Sequence, residues 1–157
     1  MTTAADAPIS IRAALPKDEQ RWYEMFAALV ATGPEPCAAE APAYVWECVM
    51  ATDHAMRLLV AVDGSDRPVG FLLYVTHPYS WTRRPITYLL DLYVEPEGRG
   101  KGIGTALIER LAEIGRASGW LKVYWMTQAD NDKAHALYGK MAKRSSLVRY
   151  DMHLNGY

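Results

Sequence analysis

The chain has 157 residues, the length of one ordinary domain, and can bury roughly two thirds of the surface that its unfolded form exposes. Half of the residues are hydrophobic and 22% are charged, a balance that excludes a disordered or fibrous protein. A formal net charge of -1 lacks the basic excess of nucleic-acid binders, so neither DNA nor RNA is expected as a partner.

The opening MTTAADAPISIR has no basic region followed by an apolar run, and no stretch approaches the roughly 18 apolar residues of a membrane span. A cytoplasmic location and no membrane partner are expected. Ile9 to Ala14 read as a first strand, and KDEQRWYEMFAALVATG as a helix with Trp22, Phe26, Leu29 and Val30 on one stripe, ended by Gly33 and Pro34. A shorter helix falls within Glu40 to Thr52, with Pro42 in its first turn. Cys37 and Cys48, the only cysteines, make neither a disulfide framework nor a four-ligand zinc site, so both are expected free and no metal is expected.

Met56 to Val62 and Val69 to Val75 flank the turn cluster DGSDRP and predict a β-hairpin. A loop with Pro78, Trp81 and Pro85 follows, then a strand from Thr87 to Val94 closed by Pro96 and Gly98. Ile103, Leu107, Leu111 and Ile114 mark a long amphipathic helix that Gly119 stops. Lys122 to Met126 read as a short strand, Asp132 to Ala142 as a short helix, and Leu147 to Leu154 as a final strand. The order β-α-α-β-β-β-α-β-α-β predicts a single domain over residues 1–157. Its class is α/β in the α+β sense: a mixed sheet, antiparallel early, with helices on its faces and one strand-helix-strand crossover.

In DLYVEPEGRGKGIGTALIER, Gly100, Gly102 and Gly104 stand where a strand passes to a helix. Alternate glycines let the backbone curl and bare its N–H groups, the helix start adds partial positive charge, and Arg99 and Lys101 reinforce it, which suits a phosphate. The triphosphate loop GxxxxGK[ST] is excluded because Ile103 and Gly104 follow Gly102. The dinucleotide fingerprint GxGxxG fails because Thr105 or Leu107 takes its third glycine position. A different diphosphate is required.

The run Arg99-Gly100-Lys101-Gly102-Ile103-Gly104 resembles the R/Q-x-x-G-x-G/A motif of the GCN5-related N-acetyltransferase superfamily, and Asn131-x-x-Ala134-x-x-Leu137-Tyr138 resembles its second motif at the usual distance. DLYV, KVYWMTQ and the ending near Tyr150 to Tyr157 look most like the branch that acetylates histones and polyamines. One departure is Met141-Ala142-Lys143-Arg144, where the family often has Gly-Phe. The resemblance implies a mostly antiparallel sheet with a splayed parallel strand pair, acetyl-CoA as the cofactor, and a homodimer as the superfamily's habit. It implies that residues 99–105, Arg99 to Thr105 with Ile103 among them, hold the pyrophosphate. The backbone of Leu92, Tyr93 and Val94 would then pair with the pantetheine amides, a ligand that behaves as an extra strand. Asn131 and Ala134 lie on the cofactor side by the same resemblance, although an Asn before a helix also serves as a simple N-terminal cap.

Acetyl transfer needs a neutral amine, yet a lysine-like amine with a pKa near 10.4 is only about one part in a thousand neutral near pH 7.4, a cost of roughly 4 kcal/mol. Backbone N–H groups near Tyr93 and Val94 are candidates to stabilise the oxyanion. Tyr138 is the candidate proton donor to the departing thiolate, with Lys133 and Lys140 near enough in sequence to lower its pKa; as a residue on an apolar stripe it also fits a core position. Asp91, an acidic residue in an apolar strand on the same face as Tyr93, either orients the amine or accepts hydrogen bonds from nearby backbone. Diamine acetyltransferases carry a glutamate just before the matching aspartate, and Leu90 occupies that place here. His54, His77 and His135 are alternative bases because histidine titrates in the right range.

Between Pro34 and Met56 there is no Lys or Arg, but Glu35, Glu40, Glu47 and Asp53 are present. Such a stretch favours a cationic acceptor such as a polyamine or a lysine side chain, with Trp46, Tyr79, Trp81 and Trp125 as apolar or cation-π walls, or else it is a solvated face. Competing functions are a silent acyl-CoA-binding or sensor domain, and acetylation of an amino acid, an aminoglycoside or another xenobiotic amine.

Overall fold

The computed structural model describes residues 8–156. The first seven residues of the opening segment, and Tyr157 from the ending, lie outside them. The chain divides into two compact units, the first ending at Trp125 and the second beginning at Met126.

In the first unit, strands β1 (Ser10–Ala13), β2 (Met56–Val62), β3 (Pro68–Tyr79), β4 (Thr82–Val94) and β5 (Lys122–Tyr124) form one sheet in sequence order. The pairs β1·β2, β2·β3 and β3·β4 are antiparallel, and β4·β5 is parallel, as the single crossover requires. Helices α1 (Glu19–Val30) and α2 (Ala41–Met50) precede β2, and α3 (Ile103–Ala117) makes the crossover between β4 and β5.

The expected stripe of the first helix is the buried one. Trp22, Met25 and Phe26 enter the core with Leu29 and Val30 beside them, and Trp46 of α2 lies 5.5 Å from Trp22, both rings among Phe71, Leu73 and Tyr93. Trp46 is therefore a core residue and not a wall open to substrate. The opposite face of the sheet is covered by α3 through Leu107 and Leu111, which are fully buried. At its end Gly115 makes room for Trp120, whose ring a Cβ would meet at 2.7 Å. Arg12 of β1 is tied to the turn before α1: its guanidinium donates to both oxygens of buried Asp18 at 2.7 and 3.0 Å, and the Leu15 N–H adds a third bond at 2.8 Å. Burial alone would raise the Asp18 carboxyl, but these donors outweigh it and hold it below the usual aspartate range.

One expected loop is a hairpin. β3 runs on to Tyr79 and β4 starts at Thr82, so Trp81 stands at a tight tip, 84% exposed. Pro78 falls at the register shift between His77 and Tyr79, where its missing N–H removes no ladder bond. The predicted Lys122 to Met126 strand stops at Tyr124, because beyond it β4 offers no partner.

The second unit holds α4 (Asp132–Tyr138), shorter than the expected Asp132 to Ala142. The expected final strand from Leu147 to Leu154 is absent: those residues pair with nothing in a described ladder, and Leu147, Tyr150 and Met152 are more than four fifths exposed. An alternating apolar pattern makes a strand only where a second strand meets its backbone groups. Among the described residues no helix is long and apolar enough to cross a membrane, and no group of side chains could hold a metal. Cys37 and Cys48 are free thiols, as expected.

Candidate active site

The site begins with a fault in β4. Tyr74 faces Leu89 and Leu73 faces Asp91, so Leu90 is an extra residue, a bulge that bends and twists the strand. Pairing with β5 covers only Ile86, Thr87 and Tyr88. Past Tyr88 the two strands part, and among the described residues the β4 edge from Leu89 to Val94 has no strand partner on that side. The Glu95 N–H donates to the Val69 carbonyl, so by alternation Tyr93 points its backbone groups at β3 while Leu92 and Val94 point theirs outward. The side chain of Tyr93 is core, stacked on Phe71 at 5.9 Å, so the groups left for a ligand are the outward backbone of Leu92 and Val94.

The glycine turn follows directly. Gly100 and Gly102 have φ of 75° and 79°, the left-handed region, and a Cβ on either would meet nothing within 4 Å. No side chain caps α3 at Gly102. The first-turn N–H groups of Ile103, Gly104 and Thr105 therefore have no helical partner. A Cβ at Gly104 would stand 3.9 Å from Leu92 and Val94, which places the helix start over the end of β4. Arg99 adds positive charge from a fixed place: its Nε donates to the Val94 carbonyl at 2.9 Å and its guanidinium lies 5.7 Å from the Tyr93 ring centroid. Lys101 lines a cavity of about 460 Å³ shared with Arg21, Arg67, Glu95 and Glu97. An open concave turn, bare N–H donors and a local cation fit a diphosphate, and the open edge of β4 beside it fits an amide-bearing arm.

On the face of the sheet that α1 and α2 share, Leu73, Val75 and His77 alternate along β3 opposite Asp91, Tyr88 and Ile86 of β4. Asp91 is half-buried, and burial pushes its carboxyl above the usual range. Among the described residues it accepts no hydrogen bond and makes no ion pair, so its expected alternative, bonding to nearby backbone, is not realised. Tyr124 of β5 stacks on Tyr88 with centroids 5.0 Å apart and planes at 11°. His77 Nε2 lies 2.9 Å from the Tyr124 hydroxyl, and its Nδ1 lies 2.9 Å from the Pro78 carbonyl. Sequence reasoning passed over Tyr88 and Tyr124, which only the pairing of β4 with β5 brings together.

Other expected residues are scattered. Glu40 and Glu47 flank and ride on α2 as exposed carboxylates, and Trp81 touches Tyr79, 5.8 Å between ring centroids. In the second unit the Asn131 side chain accepts from the Ala134 N–H at 3.1 Å, the capping geometry that the sequence left open, and donates weakly to Thr127 at 3.4 Å. Tyr138 ends α4 half-buried, and burial raises its hydroxyl; Lys133 and Lys140 do not offset this.

Comparison with known proteins adds an independent line. Residues 22–142 match the model of the Acetyltransferase (GNAT) family. The D-amino-acid N-acetyltransferase of Saccharomyces cerevisiae is 31% identical over 158 residues, 95% of this chain and 92% of that one. The thialysine N-epsilon-acetyltransferase of Sus scrofa is 40% identical over 76 residues, 48% of this chain and 44% of that one. A crystal structure of a ribosomal-protein-alanine N-acetyltransferase from Brucella melitensis biovar Abortus 2308 superposes with a TM-score of 0.77 at 22% identity, covering 94% of this chain and 100% of that one, which shows a shared fold. With a matching family model, a full-length relative and a turn that fits the cofactor's diphosphate, the chain belongs to the GNAT acetyltransferase family and is an acetyl-CoA-dependent N-acetyltransferase.

Proposed function

We propose that the acceptor is a primary amine on a cationic small molecule, such as a polyamine or a lysine-like side chain. The observation that carries this is Asp91, a half-buried carboxylate without a partner among the described residues, on the face that α1 and α2 share, beside the parted strands. A desolvated carboxylate gains most from a cation that brings its own charge to it. The relative from Sus scrofa, named for N-epsilon acetylation of thialysine, agrees with an amine acceptor. The relative from Saccharomyces cerevisiae, named for D-amino acids, supports a second reading in which the acceptor is an amino acid.

Bound acetyl-CoA supplies the acetyl carbonyl and a thiolate leaving group. The chain's part is to hold and orient. Residues 99–105 would grip the diphosphate and the outward backbone of Leu92 and Val94 would pair with the arm, with Asn131 and Ala134 of the second motif as further residues to hold the cofactor. Asp91 orients the amine, while Glu40 and Glu47 raise the local concentration of cations with Trp81 as an apolar wall. Tyr138 donates a hydrogen bond to the departing sulfur. The two units work as one catalytic domain, a reading supported by a family match that runs across their junction. A cytoplasmic homodimer is the form we expect. The test is release of free thiol from acetyl-CoA in the presence of spermidine, lysine, D-amino acids and an aminoglycoside. Preference for spermidine or lysine that Asp91→Asn removes supports the cationic acceptor; preference for D-amino acids moves the assignment to the second reading.

A further inference from the structure

We propose that His77 and Tyr124 form the relay that takes the proton from the acceptor amine. The proposal rests on the amine reading above and names the base which that reading lacks, since Leu90 stands where diamine acetyltransferases carry a glutamate.

Position comes first. Tyr88 and Tyr124 are the last residues that β4 and β5 pair before they part, so Tyr124 stands at the apex of the opening with its hydroxyl held against His77. Register places Tyr88 and Asp91 on the face that also carries His77. An amine held by Asp91 therefore lies on the same face as the His77–Tyr124 pair.

Hydrogen bonding then fixes the direction of transfer. The Pro78 carbonyl can only accept, so the nitrogen 2.9 Å from it, Nδ1, must carry a proton. In the neutral ring Nε2 is then the bare nitrogen, and the Tyr124 hydroxyl 2.9 Å away donates to it. The Tyr124 proton is already aimed at a base. Burial holds Tyr124 above the usual tyrosine range, so it stays a neutral hydroxyl and acts as a carrier. Stacking on Tyr88 and edge contact with the His77 ring at 5.9 Å keep the carrier in place. The titratable groups around His77 are Tyr124 and Lys122 from β5, Tyr88 from β4, and Tyr79 of β3 itself, over whose ring Lys122 lies at 5.0 Å, while Asp91 stands further along the same face, opposite Leu73.

The proton count closes. One N–H bond of the ammonium breaks as its proton goes to the Tyr124 oxygen, and the former hydroxyl proton goes to Nε2, leaving an imidazolium and a neutral amine. No electrons are gained or lost. The amine nitrogen forms the amide bond as the carbon–sulfur bond breaks, and its second proton leaves with the thiol. After product departure the imidazolium returns its proton to water.

The test compares the parent with Tyr124→Phe, which keeps the stacked ring, and His77→Gln, each confirmed folded by its melting temperature. Turnover of spermidine with acetyl-CoA is followed from about pH 6 to about pH 10, where the amine supplies its own neutral form. We expect kcat/KM to fall roughly 10- to 100-fold in both variants at pH 7 and to recover to within about threefold of the parent at the alkaline end. Acetyl-CoA binding should not change. Independently of activity, nitrogen NMR of the free protein should show His77 protonated on Nδ1 in its neutral form. A loss that is the same at every pH, unchanged turnover, or an Nε2-protonated ring each overturns the relay. If the parent acetylates no amine, the functional reading fails first, seen before any variant is made, and the relay falls with it.

Discussion

Tyr138, like an ordinary tyrosine, keeps its proton at neutral pH, and burial raises its hydroxyl further, so it can donate to sulfur but parts with the proton reluctantly. An ordinary tyrosine already gives its proton to a thiolate of pKa about 8.5 uphill by about 2 kcal/mol, and burial steepens that. Tyr138→Phe should therefore lower kcat by roughly 10- to 100-fold, the low end for such a group, with acetyl-CoA affinity nearly unchanged and no limb removed from the pH profile. Turnover within about twofold of the parent across the range would assign Tyr138 to packing alone. Asp91 has the opposite cost. Its raised carboxyl means that the folded state holds the proton more tightly than the unfolded chain. That contribution to stability is full below the unfolded value near 3.9 and is lost as pH rises through the folded value. At pH 7 an ionised Asp91 thus weakens the fold. Asp91→Asn should melt higher than the parent at pH 7, lose this advantage as pH falls toward about 4, and turn over more slowly. A melting difference that ignores pH, or has the other sign, removes desolvation as the cause.

At the scale of the elements, the turn at Gly100 and Gly102 joins the strand that opens to the helix that waits for an anion. Gly102→Glu sets a side chain on a left-handed backbone, at about 1 to 2 kcal/mol, and puts a negative charge where the diphosphate belongs. Saturating acetyl-CoA, at about 100 times Kd, should stabilise the parent by about 2.7 kcal/mol and the variant not at all, read from melting temperatures. Equal shifts would dissociate the turn from the cofactor. This turn was legible in the sequence because glycines at a strand-to-helix junction have a local physical meaning. So were α1 and α3, whose apolar stripes recur at the helical period within one segment. What escaped reading depends on partners. Pro78 and Pro85 looked like loop residues, and only the register with β4 shows where a missing N–H is harmless. Leu90 is a bulge because of how β3 counts against it, a fact absent from TYLLDLYV alone. Residues 147–154 carry the pattern of a strand without a described ladder to complete it. Tyr88, Tyr124 and His77 come from three strands, and no spacing along the chain announces that they meet.

On the scale of the whole molecule, the sheet ends in a compromise: β5 covers three residues of β4 and leaves the rest of that edge to a ligand. Exposed strand edges are templates for another strand, and this one lacks the short length or proline that usually protects them, since Pro85 precedes the open part. Acetyl-CoA, whose amides would fill the row of outward groups at Leu92 and Val94, would cover it. The coenzyme would then serve as an antiaggregant as well as a reactant. Protein stripped of it should scatter light sooner on warming than protein saturated with it, even when both are compared at equal distance below their own melting temperatures. Equal scattering at matched distance would mean that the edge is harmless. A rise in the stripped sample alone would tie colloidal shelf life to acetyl-CoA supply, so that a cell short of the donor would lose soluble enzyme as well as substrate.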